Sequence, residues 1–476
     1  MGDISRYIGF DCGNSSIRTV VGEFDGQRIT TEVIHQVPNK AIRSVIYDYW
    51  DILYIFNEMQ RGFKRAVDKF DDIASFAIST WGIDFGLIGA SGELLANPLC
   101  YRNPLGGEGL ESLELEVKQQ FFKETGIQNH PMNSMYQLLG IRKSLPEYLE
   151  GAHKVLLIPD LLNYLFTGSM NTEASIASTT QLLDMRSHEF SSYMFDKTGL
   201  DKGMFPALTS HREARGILKS ELSEKFGLDE PIPAICVPSH DTAAAVVAVP
   251  TEESDFAFIS SGTWSLIGTE TQRPIINEHV HTHDFTNEGG VFDTITLLKN
   301  SAGMHILQNI KRELEYTEDR SISWDEIIAM SEPFADSSRL VVFDPNAPEL
   351  YNPDSMITAL QKITGQQLVG KIIASSYRSL AMSYMKTIEQ LEMITGTPYP
   401  VIHIIGGGAR NTHLNQLTAD LSGKQVVAGP EEATSLGTIA LQVLHDHPEM
   451  TVKDIRKIIK DSTELQVFSP QVGRSL

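Results

Sequence analysis

Ser239-His240-Asp241-Thr242 sets a carboxylate between an imidazole and a hydroxyl, just after the apolar run Ala234–Val237. A carboxylate in a crevice can take the proton of a substrate hydroxyl while that oxygen attacks a phosphoryl group. Asp is also a favoured N-cap, so Asp241 can equally serve to cap a helix beginning at Thr242. Both roles hold together where a helix start faces a cleft. Phosphate chemistry has residues of its own near the other end of the chain. Gly13-Asn14-Ser15-Ser16, followed by Ile17 and Arg18, offers turn amides, two hydroxyls and one guanidinium to phosphate oxygens. Asp11 closes the preceding apolar run and is placed to hold Mg2+ through water, since Mg2+ keeps much of its hydration shell. An ordinary polar hairpin with a solvated Asp would read the same.

The strand, small-residue turn and second strand recur in Phe256–Ile267, around Ser260-Ser261-Gly262-Thr263. Two such openings, each heading its own half of the chain, point to a duplicated α/β domain closing over a nucleotide. Gly406-Gly407-Gly408 stands between an apolar run and a helical pattern, where glycines let backbone approach an anion at a helix start. A tight turn needing positive φ is the plainer reading of the triplet. It does not match G-x-G-x-x-G, and Glu431 and Glu432 follow Gly429-Pro430 instead of ending a strand, which argues against a dinucleotide site. Asp84, in Trp81-Gly82-Ile83-Asp84-Phe85, is a charge in an apolar stretch, so it must lie at an edge, be paired, or face a ligand such as a sugar hydroxyl. His279, His281 and His283 alternate along a strand or loop and read as solvated; the 14 histidines form no metal-ligand pattern.

These groups need elements to position them. Asp25-Gly26 is a hairpin signal, giving three antiparallel strands in the first forty residues. The spacing predicts helices over Tyr47–Phe70, Leu110–Phe122, Met135–Leu149, Pro159–Phe166, Gln366–Ile394 and Asn411–Leu421. Buried strands are expected at Ile73–Thr80, Lys154–Ile158 and Pro400–Ile405, and Pro231–Pro250 reads as a hinge.

A chain of 476 residues exceeds a single core, so two domains are expected, 1–245 and 246–476. A net charge of −22 argues against nucleic-acid binding without excluding an anionic nucleotide. No apolar run approaches the ~20 residues of a membrane helix, and no signal pattern opens the chain. Three widely spaced cysteines fit a reducing compartment, so a cytoplasmic location is expected.

Taken together, the blocks resemble the FGGY carbohydrate kinases of the actin/hexokinase/Hsp70 superfamily, in order and over nearly the whole length. They include Thr80–Phe85, Tyr101-Arg102-Asn103-Pro104, Thr179–Leu183, Ser239–Ala243 and Ile259–Leu266. Thr286–Gly290, Leu297–Asn300, Gly406–Gly408 with Asn411, Asn415–Asp420 and Ala428–Ala433 complete the set. The resemblance implies two actin-like ATPase (ribonuclease H-like) domains, each with a five-stranded mixed sheet, and a catalytic cleft between them. It implies that Asp241 is the general base, and that Gly82, His240, Thr242 and Asn300, with Asp84 as an addition, bind the sugar. Asn14, Ser15, Ser16, Ile17 and Arg18, with Thr263, Gln308, Gly407 and Gly408, would contact ATP, and Asp11 would organise Mg2+. The implied partners are ATP and a small ketose, in a monomer or homodimer without nucleic acid or membrane. Its blocks lie nearest the branch that makes L-rhamnulose 1-phosphate. Another ketose, such as L-fuculose or xylulose, and a non-catalytic ATP- or sugar-binding regulator are the alternatives. The first loop departs from the family pattern at Ile17, where a second glycine is usual.

Overall fold

The computed structural model describes residues 4–335 and 339–471. It forms two compact units that interleave in sequence: Met1–Glu252, Glu270–Leu297 and Ala433–Ser462 make the first, Glu253–Thr269, Leu298–Glu432 and Thr463–Leu476 the second. A single cut near residue 245 therefore does not describe the packing. The segment that crosses back is the helix Ala433–Asp446, which lies against the first unit's sheet.

In the first unit β1 (Ser5–Cys12), β2 (Ser16–Phe24) and β3 (Ile29–Pro38) form the expected antiparallel meander. Its second turn closes with the Asp25 carboxylate accepting from the amides of Gln27 and Arg28, while Gly26 takes a φ of 91°. After α1 (Ile52–Lys69), β4 (Ile73–Thr80) pairs parallel to β1, so β1 has a strand on each edge and is almost wholly buried. With β5 (Ala214–Ile217) and β6 (Pro233–Ile235) the order is β5-β6-β4-β1-β2-β3, six strands where five were expected. The added edge strand β5 pairs antiparallel with β6.

Helix α1 starts late in the predicted span because Asp51 caps it, accepting from the Tyr54 amide at 3.0 Å. Residues Asp48–Tyr49 before it pair as a short strand with Ile42–Arg43. Its apolar face, with Ile52, Ile55, Met59 and Phe63, packs into a core where Phe10 stacks on Phe166 at 5.5 Å. The predicted Leu110–Phe122 helix is two helices, Leu105–Glu111 and Leu115–Thr125, broken over Ser112–Glu114.

The stretch read as a hinge is core. Beyond β6 it forms α2 (Asp241–Val247), whose Ala243–Val247 are buried. Small residues there serve close packing: a Cβ on Gly437 would lie 1.9 Å from the Ala244 carbonyl oxygen, so the helix Ala433–Asp446 can approach only with glycine at that contact. That helix is tied to the sheet by polar bonds as well, Ser75 Oγ to Gln442 Oε1 at 2.7 Å and Gln442 Nε2 to the Ile8 carbonyl at 3.1 Å.

The second unit repeats the design. Strands β7 (Ala257–Ser261) and β8 (Trp264–Thr271) are antiparallel, β10 (Val401–Ile405) runs parallel to β7, and β11 (Gln425–Ala428) parallel to β10. With β9 (Ile295–Ala302) and β12 (Gln466–Phe468) the order is β12-β11-β10-β7-β8-β9, and the strand Thr286–Gly289 adds a seventh beside β9 where five were expected, so six of the seven follow the first sheet's order. The long helix Val369–Thr395 and the helix Thr412–Ser422 agree closely with the sequence reading. Among the described residues no helix is long and apolar enough to cross a membrane.

Candidate active site

Each candidate phosphate loop lies where the fold needs a tight turn. In the first unit the β1–β2 turn is closed by Gly13 N–H donating to the Ser16 carbonyl at 2.9 Å, which leaves Asn14 and Ser15 exposed. Asn39 braces it, donating its amide to Ser15 O at 3.0 Å and its side chain to Gly13 O at 2.8 Å. Ile17 is fully buried in the core, so its bulk lies away from the loop surface and only its main chain is at the turn. Asp11 is 3% exposed, and its Oδ2 lies 2.9 Å from Arg18 Nη2 and accepts from Ser435 Oγ at 2.9 Å. It is a hard oxygen donor with its charge balanced by Arg18, suited to hold one hydrated Mg2+ beside phosphates. Among the described residues no cluster of three or more His, Cys, Asp or Glu forms a metal cage.

The catalytic candidates share the same unit. The helix α2 begins at Asp241 itself, and His240 is its N-cap, so Asp241 is not the cap the sequence allowed. About a third of its side chain is exposed, at 34%. Thr242 Oγ1 donates to Asp241 Oδ1 at 3.2 Å. His240 lies between two carboxylates, Nε2 at 3.4 Å from Asp241 Oδ1 and Nδ1 at 3.2 Å from Glu288 Oε2. Burial works against charge on the ring, but Glu288, then Asp241 and Glu173, outweigh it and raise the His240 pKa to about 9. The ring is therefore cationic at neutral pH. Burial raises the Asp241 carboxyl above its ordinary value, and the His240 cation and Thr242 oppose that rise. Gly82 adjoins this pair, since a Cβ there would meet Thr179 Cγ2 at 2.9 Å and His240 Nε2 at 3.3 Å.

Asp84 resolves differently from the sugar-hydroxyl role expected of it. Its carboxylate is 1% exposed, and Oδ2 accepts from the indole N–H of Trp50 at 2.5 Å and of Trp81 at 2.9 Å. Gln137 Nε2 donates to Oδ1 at 3.4 Å. The two indoles lie 4.5 Å apart, and Trp50 also lines a cavity of about 310 Å3 with Asn14, Lys40, Cys100 and Arg102. Asp84 thus orients the indoles and offers no exposed oxygen to a ligand. The chain before it is strained: Ile83 has a φ of 70°, rare for a β-branched residue. The Ser134 hydroxyl on its carbonyl, at 2.6 Å, and the Thr179 hydroxyl under its amide, at 2.9 Å, hold it there.

Burial outweighs those donors and lifts the Asp84 pKa to about 7. A carboxyl with a folded pKa above its unfolded value gives stability that is fully present below the unfolded pKa and is lost as pH rises toward 7. Asp84→Asn should remove that loss. The variant's melting temperature, relative to the unchanged protein, should rise between about pH 4 and pH 7; a difference independent of pH would show that Asp84 does not titrate in the folded state.

In the second unit the β7–β8 turn closes through Gly262 N–H to Trp264 O at 2.8 Å and leaves Thr263 exposed. The Thr263 carbonyl accepts from His305 N–H at 3.1 Å, seating the turn on α3 (His305–Glu318), the helix that carries Gln308. The glycine triplet meets the same loop. A Cβ on Gly408 would fall 2.0 Å from Ser261 Oγ, so the close approach demands glycine, while nothing crowds Gly407. Gly406 has the positive φ, 80°, foreseen for the turn. Asn300 is exposed on β9. Thr263, Gln308 and the glycines therefore lie around one end of the second sheet.

The family model described as the FGGY family of carbohydrate kinases matches by its N-terminal domain over residues 6–248 and by its C-terminal domain over residues 257–445. The chain belongs to the FGGY family of carbohydrate kinases. This FGGY kinase is 36% identical to a rhamnulokinase of Bacteroides thetaiotaomicron, covering 98% of this chain and 96% of that one. It is 34% identical to a rhamnulokinase of Bacillus subtilis, covering 98% and 95%. Among solved structures, the gluconate kinase of Lactobacillus acidophilus aligns with a TM-score of 0.84 at 18% identity, over 99% of this chain and 95% of that one. The glycerol kinase of Plasmodium falciparum with ADP aligns at 0.77 and 17%, over 99% and 95%. At such identities the structures show a shared fold, that of actin-like ATPases. The protein is a sugar phosphotransferase.

Several residues around the FGGY kinase's candidate base escaped the sequence reading. Glu288 lay inside the recognised block Thr286–Gly290 without a role, although it is the acidic residue nearest His240 Nδ1. Glu173, His211 and Arg215 are distant in sequence and carry no motif; only the fold assembles them beneath Ser239. The three histidines read as solvated lie on a helix, Glu278–Thr282, and in its C-cap, and His281 packs on Phe122 at 4.6 Å.

Proposed function

We propose that this kinase transfers the γ-phosphoryl group of ATP to the primary hydroxyl of L-rhamnulose, giving L-rhamnulose 1-phosphate and ADP. The observation that carries the chemistry is the Asp241 carboxylate, one-third exposed at a helix start and 3.4 Å from a cationic imidazole. Asp241 takes the hydroxyl proton, the sugar oxygen bonds to the γ-phosphorus, and the bond to the bridging oxygen breaks to release ADP. The His240 cation opposes the rise that burial gives the Asp241 pKa. Gly82, His240, Thr242 and Asn300 bind the sugar. The loop Asn14–Arg18, with Thr263, Gln308, Gly407 and Gly408, holds the ATP phosphates through amides and hydroxyls. Asp11 is the residue that would hold Mg2+, which would supply neutralisation of phosphate charge. Residues 1–245 supply most of the sugar site and the first phosphate loop, and 246–476 supply Asn300 and most nucleotide contacts. Three buried free thiols fit a cytoplasmic enzyme.

The choice of sugar rests on the rhamnulokinase relatives. A coupled assay over L-rhamnulose, L-fuculose, D-xylulose, L-xylulose and glycerol should give L-rhamnulose the highest kcat/KM. A site that reads hydroxyls rejects the wrong isomer by leaving buried polar groups unpaired, worth up to ~10⁴–10⁵. Asn300→Ala should raise the sugar KM and leave the ATP KM nearly unchanged. A higher kcat/KM for another ketose would keep the kinase and discard the named substrate.

A further inference from the structure

We infer that Glu173 and Ser175, remote from Asp241 in sequence, are positioning residues that set where the Asp241 carboxylate stands. The inference rests on the reading of Asp241 as the base. The two amides that precede Asp241 are held by these side chains: Ser239 N–H donates to Glu173 Oε2 at 2.9 Å, and His240 N–H to Ser175 Oγ at 3.2 Å. Ser175 Oγ in turn donates to Glu173 Oε2 at 2.6 Å. Both side chains are fully buried.

Glu173 is itself over-determined. It caps the short helix Ala174–Ser178, accepting from Ser175 N–H at 2.6 Å and Ile176 N–H at 3.0 Å. His211 Nε2 lies 2.7 Å from its Oε1. Since Phe292 N–H donates to His211 Nδ1 at 2.9 Å, that nitrogen is an acceptor and Nε2 carries the hydrogen to Glu173. Five donors thus converge on one carboxylate. Burial opposes its charge, but His211 and then Ser175 reverse this and hold its pKa down to about 2. The same short helix grips the other side of His240, because Ser178 Oγ accepts from Gly289 N–H at 3.0 Å, next to Glu288. From the far side, Ser239 O accepts from Thr80 N–H at 2.8 Å. The turn carrying the base is therefore clamped between β4 and a charged, rigid helix start.

A base must be held to well under an ångström, and a 1 Å misplacement can cost about 100-fold in rate. Ser175→Ala removes the acceptor for His240 N–H and leaves Asp241 chemically unchanged. Measured well below its melting temperature with ATP and L-rhamnulose, it should lower kcat roughly tenfold or more, with the ATP KM unaltered. In an Asp241→Asn background the same substitution should change kcat less than about twofold, because there is no base left to misplace. Near-unchanged kcat for Ser175→Ala, or an equal loss in both backgrounds, overturns the inference. Near-normal kcat for Asp241→Asn alone overturns the reading beneath it, and the inference falls with it. Should Ser175→Ala not fold, Ser175→Cys keeps the volume with a weaker acceptor and carries the same comparison.

Discussion

Asp241→Asn is expected to give a folded protein that binds ATP and sugar but turns over about 10²–10⁴-fold more slowly, the usual worth of a general base. The amide preserves shape, and its oxygen can still accept from Thr242 Oγ1, now 3.2 Å from Oδ1. It cannot take a proton. The change also removes the negative charge that, after Glu288, helps to raise the His240 pKa. The pH profile gives a second check. Burial raises the Asp241 pKa, so the acid limb of kcat should lie above the ordinary carboxylate range, with activity lost as pH falls through it. In the variant that limb should vanish along with the rate. A variant retaining most of its kcat, or keeping the same acid limb, would put the base elsewhere.

What could be read from the chain was whatever local chemistry dictates. The Asp25-Gly26 turn, the exposed Asn14-Ser15 tip, the positive φ of Gly406 and the long helix Val369–Thr395 all follow from residues close in sequence. The small-residue run after Ala234 misled, because Ala and Gly suit a flexible hinge and a tightly packed helix pair equally; Gly437 against Ala244 shows that packing won. Asp84 could be recognised as needing a partner, but that its partners are the indoles of Trp50 and Trp81 depends on a strained turn at Ile83 held by Ser134 and Thr179. The return of Ala433–Asp446 to the first unit was hidden for a similar reason. Its bonds from Gln442 to Ile8 and from Ser435 to Asp11 join residues more than 400 apart, and no periodicity records that.

A buried polar assembly in the first unit yields the largest expected loss of stability. Arg215 is buried, and its Nη2 donates to Asp160 Oδ1 at 2.5 Å, its Nε to Asn171 Oδ1 at 2.9 Å and its Nη1 to Ser239 Oγ at 3.2 Å. Asp160 is wholly buried, and Glu173, a second buried carboxylate, has its amide 3.4 Å from Asp160 Oδ1. Glu173 has five donors of its own, whereas Arg215 is the cation paired with Asp160, so Arg215→Leu would leave the Asp160 carboxyl buried without that partner. Removing one partner of a buried pair costs about 3–5 kcal/mol, far more than the pair contributes when replaced whole. The urea midpoint of Arg215→Leu should fall accordingly, and the Arg215→Leu/Asp160→Leu double variant should recover much of the loss despite carrying two changes. A loss below about 1 kcal/mol for Arg215→Leu would mean that Asp160 is already neutral in the fold. Recovery in the double variant should be confined to stability. Ser239, which precedes His240 and the base, loses its guanidinium donor in both, so kcat should stay depressed where the urea midpoint returns. That separation would assign the ion pair to holding the fold, and the Arg215–Ser239 bond to holding the turn that carries Asp241.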